Sequence, residues 1–452
     1  LTLGAGYYIA LTVQNPMAAL LLFFVAVILV IIGTFCCFTA GSVALLRLLQ
    51  KNKAYYYKTA HFVSVSGMIA RMRRNGAGLA SICILSTAVL VMISSTVSLY
   101  LGSEDALREH YPRNITASCY DASPALEQQL DQAVTQTLEA QKIEPSNELS
   151  MHLLAFAARQ RADTMDLQAI VQMDDLTVTG DVRQLTWMPL SDYCRLSGQS
   201  LSLAQDEAIL FAPDGGYGQD RLNLPGFGAF KIVQTLDRLD GAQLNPYMGV
   251  STYYLIVCDE QMAALDAYQS QIFGAHRSKC QYLRGFDVTD AAAQQQVFQA
   301  LCDAVGEAQI TVRSDQEGRA TFYSLYGGLF FLGLFLGALF LFATVLILYY
   351  KQVTEGYEDQ SRFEVMQKVG MTKTEIRKSI NSQVLTVFFL PLLFAGLHMA
   401  FAFPMVQRVL SLFSLTNAQF FMLTTGISFA AFAVLYVIVY RITSKAYYNI
   451  VS

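Results

Sequence analysis

Five stretches of this chain contain no Asp, Glu, Lys or Arg: residues 1–46, 75–103, 320–350, 379–407 and 409–440. About 20 apolar residues in a helix cross the hydrocarbon core of a bilayer, and each stretch is longer than that. In lipid every backbone polar group needs an internal partner, so such stretches are expected as helices. Gln14, Asn15 and Pro16 interrupt the first of them. Residues 1–13 are then too short to span and read as the end of a helix, whereas 17–46 make a full span. Hydrophobic residues at 54% and charged residues at 15% agree, because a water-soluble chain carries more charge. The expected fold class is a multi-pass α-helical membrane protein with a large extracytoplasmic α+β domain inserted between transmembrane helices.

The sign of the charge orients this chain. Its net charge of −4 conceals a split: 102–319 holds 30 acidic and 15 basic residues, and 47–74 holds seven basic residues and no acidic one. Basic residues collect on the cytoplasmic side of a membrane. The segment 47–74 is therefore expected in the cytoplasm and 104–319 outside. On this threading 75–103 runs outward, 320–350 inward, 379–407 outward and 408–440 inward, leaving 441–452, with Arg441 and Lys445, as a cytoplasmic tail. Within 47–74, Val63, Met68, Ile69 and Met72 against Arg71, Arg73 and Arg74 suggest a helix lying on the inner leaflet, with a solvated basic linker as the plainer alternative. The Ser and Thr residues of 75–103 suit close helix packing better than a substrate path. Pro391 and Pro404 are expected to kink their span. The chain begins at Leu1 with neither Met nor a signal-peptide pattern, and reads as the C-terminal part of a longer protein.

The densest charge falls between two spans, at 351–378. Phe363, Met366, Val369 and Ile376, followed by Ile380 just beyond the run, recur at roughly helical spacing. A short amphipathic helix at the membrane surface is expected, the plainer alternative being an ordinary connector.

The middle region has the composition of a water-soluble α+β domain. Helices are expected at 123–142, opened by Ser123-Pro124, at 259–273, capped by Asp259, and at 290–308, begun by Asp290. Strands are expected at 153–157, 167–173, 253–258 and 282–288, with a loop or hairpin across 213–227.

Few residues suggest chemistry. His398 sits within a span, where an ionisable group is costly. A proton relay would need a carboxylate in another span, so a packed, hydrogen-bonded histidine is expected instead. Cys36, Cys37 and Cys83 fall in spans and read as packing residues. Cys119, Cys194, Cys258, Cys280 and Cys302 fall in the middle domain without metal-site spacing, and one or two disulfides are as reasonable there as buried thiols. His110, His152, His276 and Trp187 have no nucleophile motif around them. No catalytic, metal or nucleic-acid site is expected. The carboxylates read as a solvated acidic face, with long-range attraction of cationic peptides as a minor alternative. The sequence contains no Gly-x-x-x-x-Gly-Lys-Ser/Thr loop, so no ATP hydrolysis and no cofactor are expected of this chain.

Arg362, Glu364, Gly370, Thr372 and Ile376, in the order and setting they take here, resemble the loop of FtsX-like permeases, the membrane subunits of type VII ABC transporters. Val365-Met366 stands where that family usually has Ile-Gly. The segments 62–68, 82–87, 349–371 and 401–404 are similar to the Bce-type branch, associated with bacitracin and other peptide antibiotics. The resemblance covers the membrane parts well and the middle domain poorly. It implies a permease, not an enzyme, in a bacterial cell membrane. Its loop would form a coupling helix on a separate ABC ATP-binding subunit, itself expected as a dimer, through Arg362, Phe363, Glu364, Met366, Lys368, Gly370 and Met371. In that position Glu364 could accept hydrogen bonds from the partner, and Gly370 could end the helix in a left-handed turn. The resemblance further implies protection against antibiotics that attack lipid-linked cell-wall intermediates, and signalling to a sensor histidine kinase. A lipoprotein-release or cell-division permease of the same superfamily is the alternative, as is a membrane receptor without an ATPase.

Overall fold

The computed structural model describes residues 1–13, 16–51, 59–171, 181–213, 217–240, 251–306, 309–368, 373–413, 415 and 417–451. The chain divides into two compact units. One comprises Leu1–Leu101, Tyr326–Ser411 and Asn417–Ser452, and the other is built almost entirely of Gly102–Leu325.

The first unit begins with α1 (Thr2–Thr12), α2 (Pro16–Cys36), a π-helical turn at Cys37–Gly41, α3 (Ser42–Lys51) and α4 (Thr59–Leu101). The basic segment does not form a separate surface helix. From Thr59 onward it belongs to the same helix as the span at 75–101, and Met72, expected on a lipid-facing stripe, is buried beside Phe38 and Leu79. The backbone approach at Gly76 explains this packing. A Cβ there would stand 2.6 Å from the carbonyl oxygen of Phe38, at the π turn, so only glycine lets α4 lie this close.

The second unit contains α5 (Ser103–His110), β1 (Ile115–Tyr120), α6 (Pro124–Gln141), β2 (Ser146–Arg161), β3 (Thr164–Asp166), α7 (Gln168–Val171), β4 (Val182–Pro189), α8 (Leu190–Ser197), β5 (Glu207–Phe211), β6 (Arg221–Leu224), β7 (Gly228–Leu236), β8 (Ser251–Val257), α9 (Asp259–Phe273), β9 (Gln281–Asp287), α10 (Ala291–Val305) and β10 (Ile310–Ser314). Two sheets share β2. Its first half pairs with β9 in an antiparallel sheet of order β10-β1-β9-β2. Its second half pairs with both β3 and β4, and the ladder β2-β3-β6-β7-β5-β8-β4 returns to β2, closing a seven-stranded ring. Closure removes the exposed edges of an open sheet.

Strand alternation fills both faces. Leu154, Phe156, Leu185, Trp187, Leu210 and Leu255 point into one core within the ring. Residues of opposite parity, Met151, Leu153, Met188, Ile209, Tyr254 and Ile256, build a second core with Tyr193 of α8. This double burial is why 253–258 is a continuous apolar run in the sequence. A third core lies between the four-stranded sheet and the pair α6 and α10.

Several local expectations require correction. Residues 167–173 do not form a strand: Gln168–Val171 is a short helix, and 172 and 173 lie outside the described residues. The strand expected at 153–157 is part of a sixteen-residue one. Ser123 and Asp290 do cap their helices, accepting from Leu126 N and Ala293 N. Asp259 does not, because Cys258 holds the cap position and the Asp259 carboxylate instead accepts from Ser191 N at 3.0 Å, joining α9 to α8. All eight cysteines are free thiols, and Cys36, expected as packing, is exposed.

The chain then returns to the first unit through α11 (Asp315–Lys368), α12 (Lys373–Ser411) and α13 (Ala418–Val451). Among the described residues, five helical segments are long and apolar enough to cross a membrane: Pro16–Leu48, Asn75–Leu101, Asp315–Gln360, Phe388–Ser411 and Ala418–Lys445. This is a multi-pass membrane protein. Pro391 and Pro404 both lie inside α12, and the expected tail at 441–452 is helical to Val451. Small residues set the packing of α11 on α4. Gly333 lies against the Thr96 side chain and Gly337 against Ile93, a Gly-x-x-x-Gly face of the kind that lets membrane helices approach closely. Ser98 and Thr424 hydrogen-bond to each other between α4 and α13, and the hydroxyl of Tyr436 donates to the Phe388 carbonyl at 2.9 Å.

Candidate functional site

The charged run is not a separate short helix. Residues 351–368 continue the span of α11 without a break, and α12 resumes at Lys373. Its first ten residues are amphipathic in an unusual sense: the buried face is polar. Gln352, Glu355, Gly356 and Asp359 follow the i, i+3, i+4, i+7 spacing of one helical face and are all buried, while Thr354, Tyr357, Glu358 and Gln360 are exposed. Glu355 and Asp359 are only 3% and 5% exposed.

Buried carboxylates need hydrogen-bond donors, and two other helices supply them. Asn75 of α4 donates its side-chain amide to Glu355 at 2.6 Å, while its carbonyl accepts from Lys351 at 3.4 Å. The hydroxyl of Tyr447, a fully buried residue of α13, donates to Asp359 at 2.8 Å. Between the two, Gly356 faces the Ile450 side chain of α13, which a Cβ at this position would meet at 3.4 Å, an ordinary packing contact. The segment is thus held by α4 on one side and α13 on the other. An isolated amphipathic helix on a membrane surface would have no such partners.

Of the residues expected to contact a partner, Lys368 is exposed at the end of α11. Arg362, Phe363, Glu364 and Met366 lie on the helical backbone of α11, but their side chains fall outside the described residues, as do Gly370 and Met371 altogether. Sequence reasoning missed Asn75, Glu355, Asp359 and Tyr447. The helical spacing of 352, 355 and 359 was legible; the donors on α4 and α13 were not, because they lie 280 and 88 positions away.

A second polar feature lies deeper among the spans. Both ring nitrogens of His398 are within hydrogen-bond distance of hydroxyls, Tyr7 at 2.6 Å and Thr34 at 3.0 Å. Tyr7 also stacks on Phe401, with ring centroids 4.0 Å apart. The histidine is 3% exposed and is packed and hydrogen-bonded as expected. It borders an apolar cavity of about 290 Å³ between α1, α2, α4 and α12, walled by Phe23, Val27, Thr87 and Met92.

Comparison with known proteins bears on the first of these sites. Residues 334–451 match the FtsX-like permease C-terminal family. The chain is 23% identical over 389 residues to the ABC transporter permease protein YxdM of Bacillus subtilis, covering 84% of this chain and 57% of that protein. It is 21% identical over 381 residues to the bacitracin export permease protein BceB of Halalkalibacterium halodurans, covering 82% and 55%, and 21% identical over 387 residues to BceB of Bacillus subtilis, covering 82% and 55%. The chain spans little more than half the length of these curated relatives.

Proposed function

With residues 334–451 forming an FtsX-like permease C-terminal domain, we propose that this chain is part of a Bce-type ABC transporter permease driven by a separate ATP-binding subunit. The observation that carries the reading is the buried polar face of α11, Glu355 and Asp359 clasped by Asn75 and Tyr447. It joins the charged segment to two neighbouring membrane helices. A force applied at that segment is then passed to three helices at once. Arg362, Phe363, Glu364, Met366, Lys368, Gly370 and Met371 are the residues proposed to meet the ATPase dimer.

On this reading the charged segment and the C-terminus face the cytoplasm of a bacterium, and 104–319 is extracytoplasmic. The positive charge at 47–74 and the acidic excess of 102–319 support that orientation. Closure of the ATPases moves the segment, and α11, unbroken from Asp315 to Lys368, carries the movement along its length. The bacitracin export named for two of the relatives supports a peptide antibiotic as the ligand. Proposed alongside it are the lipid-linked intermediate it attacks and the outer domain as the place of binding. A sensor kinase is a further partner under the same reading.

Co-purification of the full-length permease with its candidate ATPase tests this, using wild type, Glu364→Lys and Gly370→Trp. Retention by wild type and loss in both variants is the expected result. If wild type retains no ATPase, a receptor without one becomes the better reading. If both variants retain it fully, the docking residues lie elsewhere.

A further inference from the structure

The β-rich unit contains a titratable group that the transport reading does not use. His152 lies on β2, at the point where helices from two different cores converge. Its Nδ1 is 2.9 Å from Asp192 Oδ2 of α8, and the same carboxylate oxygen accepts from the His152 backbone N–H at 2.6 Å. On the other edge of the ring, Nε2 is 3.5 Å from Glu127 Oε1 of α6. The imidazole face rests on Tyr282 of β9, with centroids 4.8 Å apart. The surrounding charges come from every neighbouring element. Arg195 of α8 pairs with Asp192, Arg284 of β9 pairs with Asp131 of α6 and Glu148 of β2, and the Tyr282 hydroxyl donates to Asp131.

From this geometry we infer that His152 is a proton-operated tie between α6 and α8, closed when the ring is an imidazolium and open when it is neutral. The imidazolium donates from both nitrogens, one to each carboxylate. A neutral ring has a single N–H. With that proton on Nδ1 for the nearly buried Asp192, the lone pair of Nε2 faces the Glu127 carboxylate and the link to α6 is lost. Because Asp192 also holds the His152 backbone, α8 stays anchored in either state. The switch therefore acts on α6. Glu127 belongs as well to the wall of a surface groove along α6 of about 570 Å³, shared with Gln128, Asp131 and Gln132, so opening the tie returns a negative charge to that groove.

The hydrogen bond to Asp192 outweighs the opposing effect of burial, and with Glu127 it holds His152 above its ordinary value of 6.5. A histidine shifted this way gives its stabilisation in full below pH 6.5 and loses it as pH rises through the raised folded value. The device is closed on the acid side and opens on the alkaline side. It does not depend on what the protein transports.

Hydrogen–deuterium exchange of the full chain in lipid nanodiscs, at pH 5.5 and 8.5 and corrected for intrinsic exchange, reads the tie directly. In wild type, peptides from 124–141 are expected to lose protection by roughly two- to fivefold at the higher pH, the size of a half-exposed ion pair. Peptides from 291–305 serve as the internal control. Glu127→Gln, which leaves the Asp192 contacts in place, should show the alkaline level of protection at both pH values. His152→Gln should do the same if it folds. Equal protection of wild-type 124–141 at the two pH values would overturn the inference, as would an undiminished pH response in Glu127→Gln.

Discussion

At the scale of single residues, Trp187 shows how much of the β-rich unit rests on one side chain. It is fully buried inside the strand ring, with Phe230 5.3 Å and Phe156 6.0 Å away between ring centroids. Its indole N–H has no hydrogen-bond partner among the described residues. Trp187→Ala is expected to destabilise this unit by about 3–5 kcal/mol, the usual cost of emptying an aromatic site in a core. Trp187→Phe should cost clearly less, since it removes an unpaired buried donor along with part of the ring. Pulse proteolysis of the full chain, followed on fragments of 102–325, measures both. From the sequence Trp187 was one aromatic residue without a motif. Its weight comes from Leu154, Leu185, Leu210 and Leu255, which strand pairing gathers around it. His398 is the opposite case. An uncharged span without carboxylates already implied a packed histidine, and only the identities of Tyr7 and Thr34 had to come from the fold.

At the scale of elements, α11 decides the character of the membrane unit. The sequence marks its apolar part clearly but places a boundary at Lys351, where charge begins. The helix ignores that boundary because Glu355 and Asp359 find donors on α4 and α13. Asp359→Ala leaves the buried Tyr447 hydroxyl without this acceptor and is expected to cost about 1–3 kcal/mol. Asp359→Asn keeps an acceptor and should recover much of that loss. Thermal denaturation of the purified full-length protein, monitored by intrinsic fluorescence, compares the two. Equal melting temperatures for Ala and wild type would show that the clasp contributes nothing to the bundle. Within the β-rich unit, helix starts at Ser123 and Asp290 were legible because capping is a local interaction of three residues. β1, β3, β4, β5, β7 and β10 were not anticipated. Their short apolar runs differ little from buried helix segments, and pairing across the sheet decides between them.

At the scale of the whole molecule, each of the two units has cores of its own. The segment 102–325 expressed alone is therefore expected to be soluble and to unfold cooperatively, with a single transition by circular dichroism. Insolubility or a non-cooperative melt would count against an independent core. The presence of long apolar segments, the charge split between 47–74 and 102–319, and the mixed helix and strand content of the middle were legible in the sequence alone, although the break expected at Arg408 falls instead between Ser411 and Ala418. Hydrophobicity and charge sum along a contiguous stretch, so a window of about 20 residues already contains the information. Three features were decided only by the tertiary structure: the strand ring closed by β4 returning to β2, the polar clasp around Glu355 and Asp359, and the tie at His152. Each joins residues between 23 and 280 positions apart, such as Arg159 with Val182, Glu127 with His152 and Asn75 with Glu355. Burial makes such pairs matter, because a donor or charge removed from water must find its partner within the fold. Which partner it finds depends on register and helix rotation, and neither is a property of any local stretch of sequence.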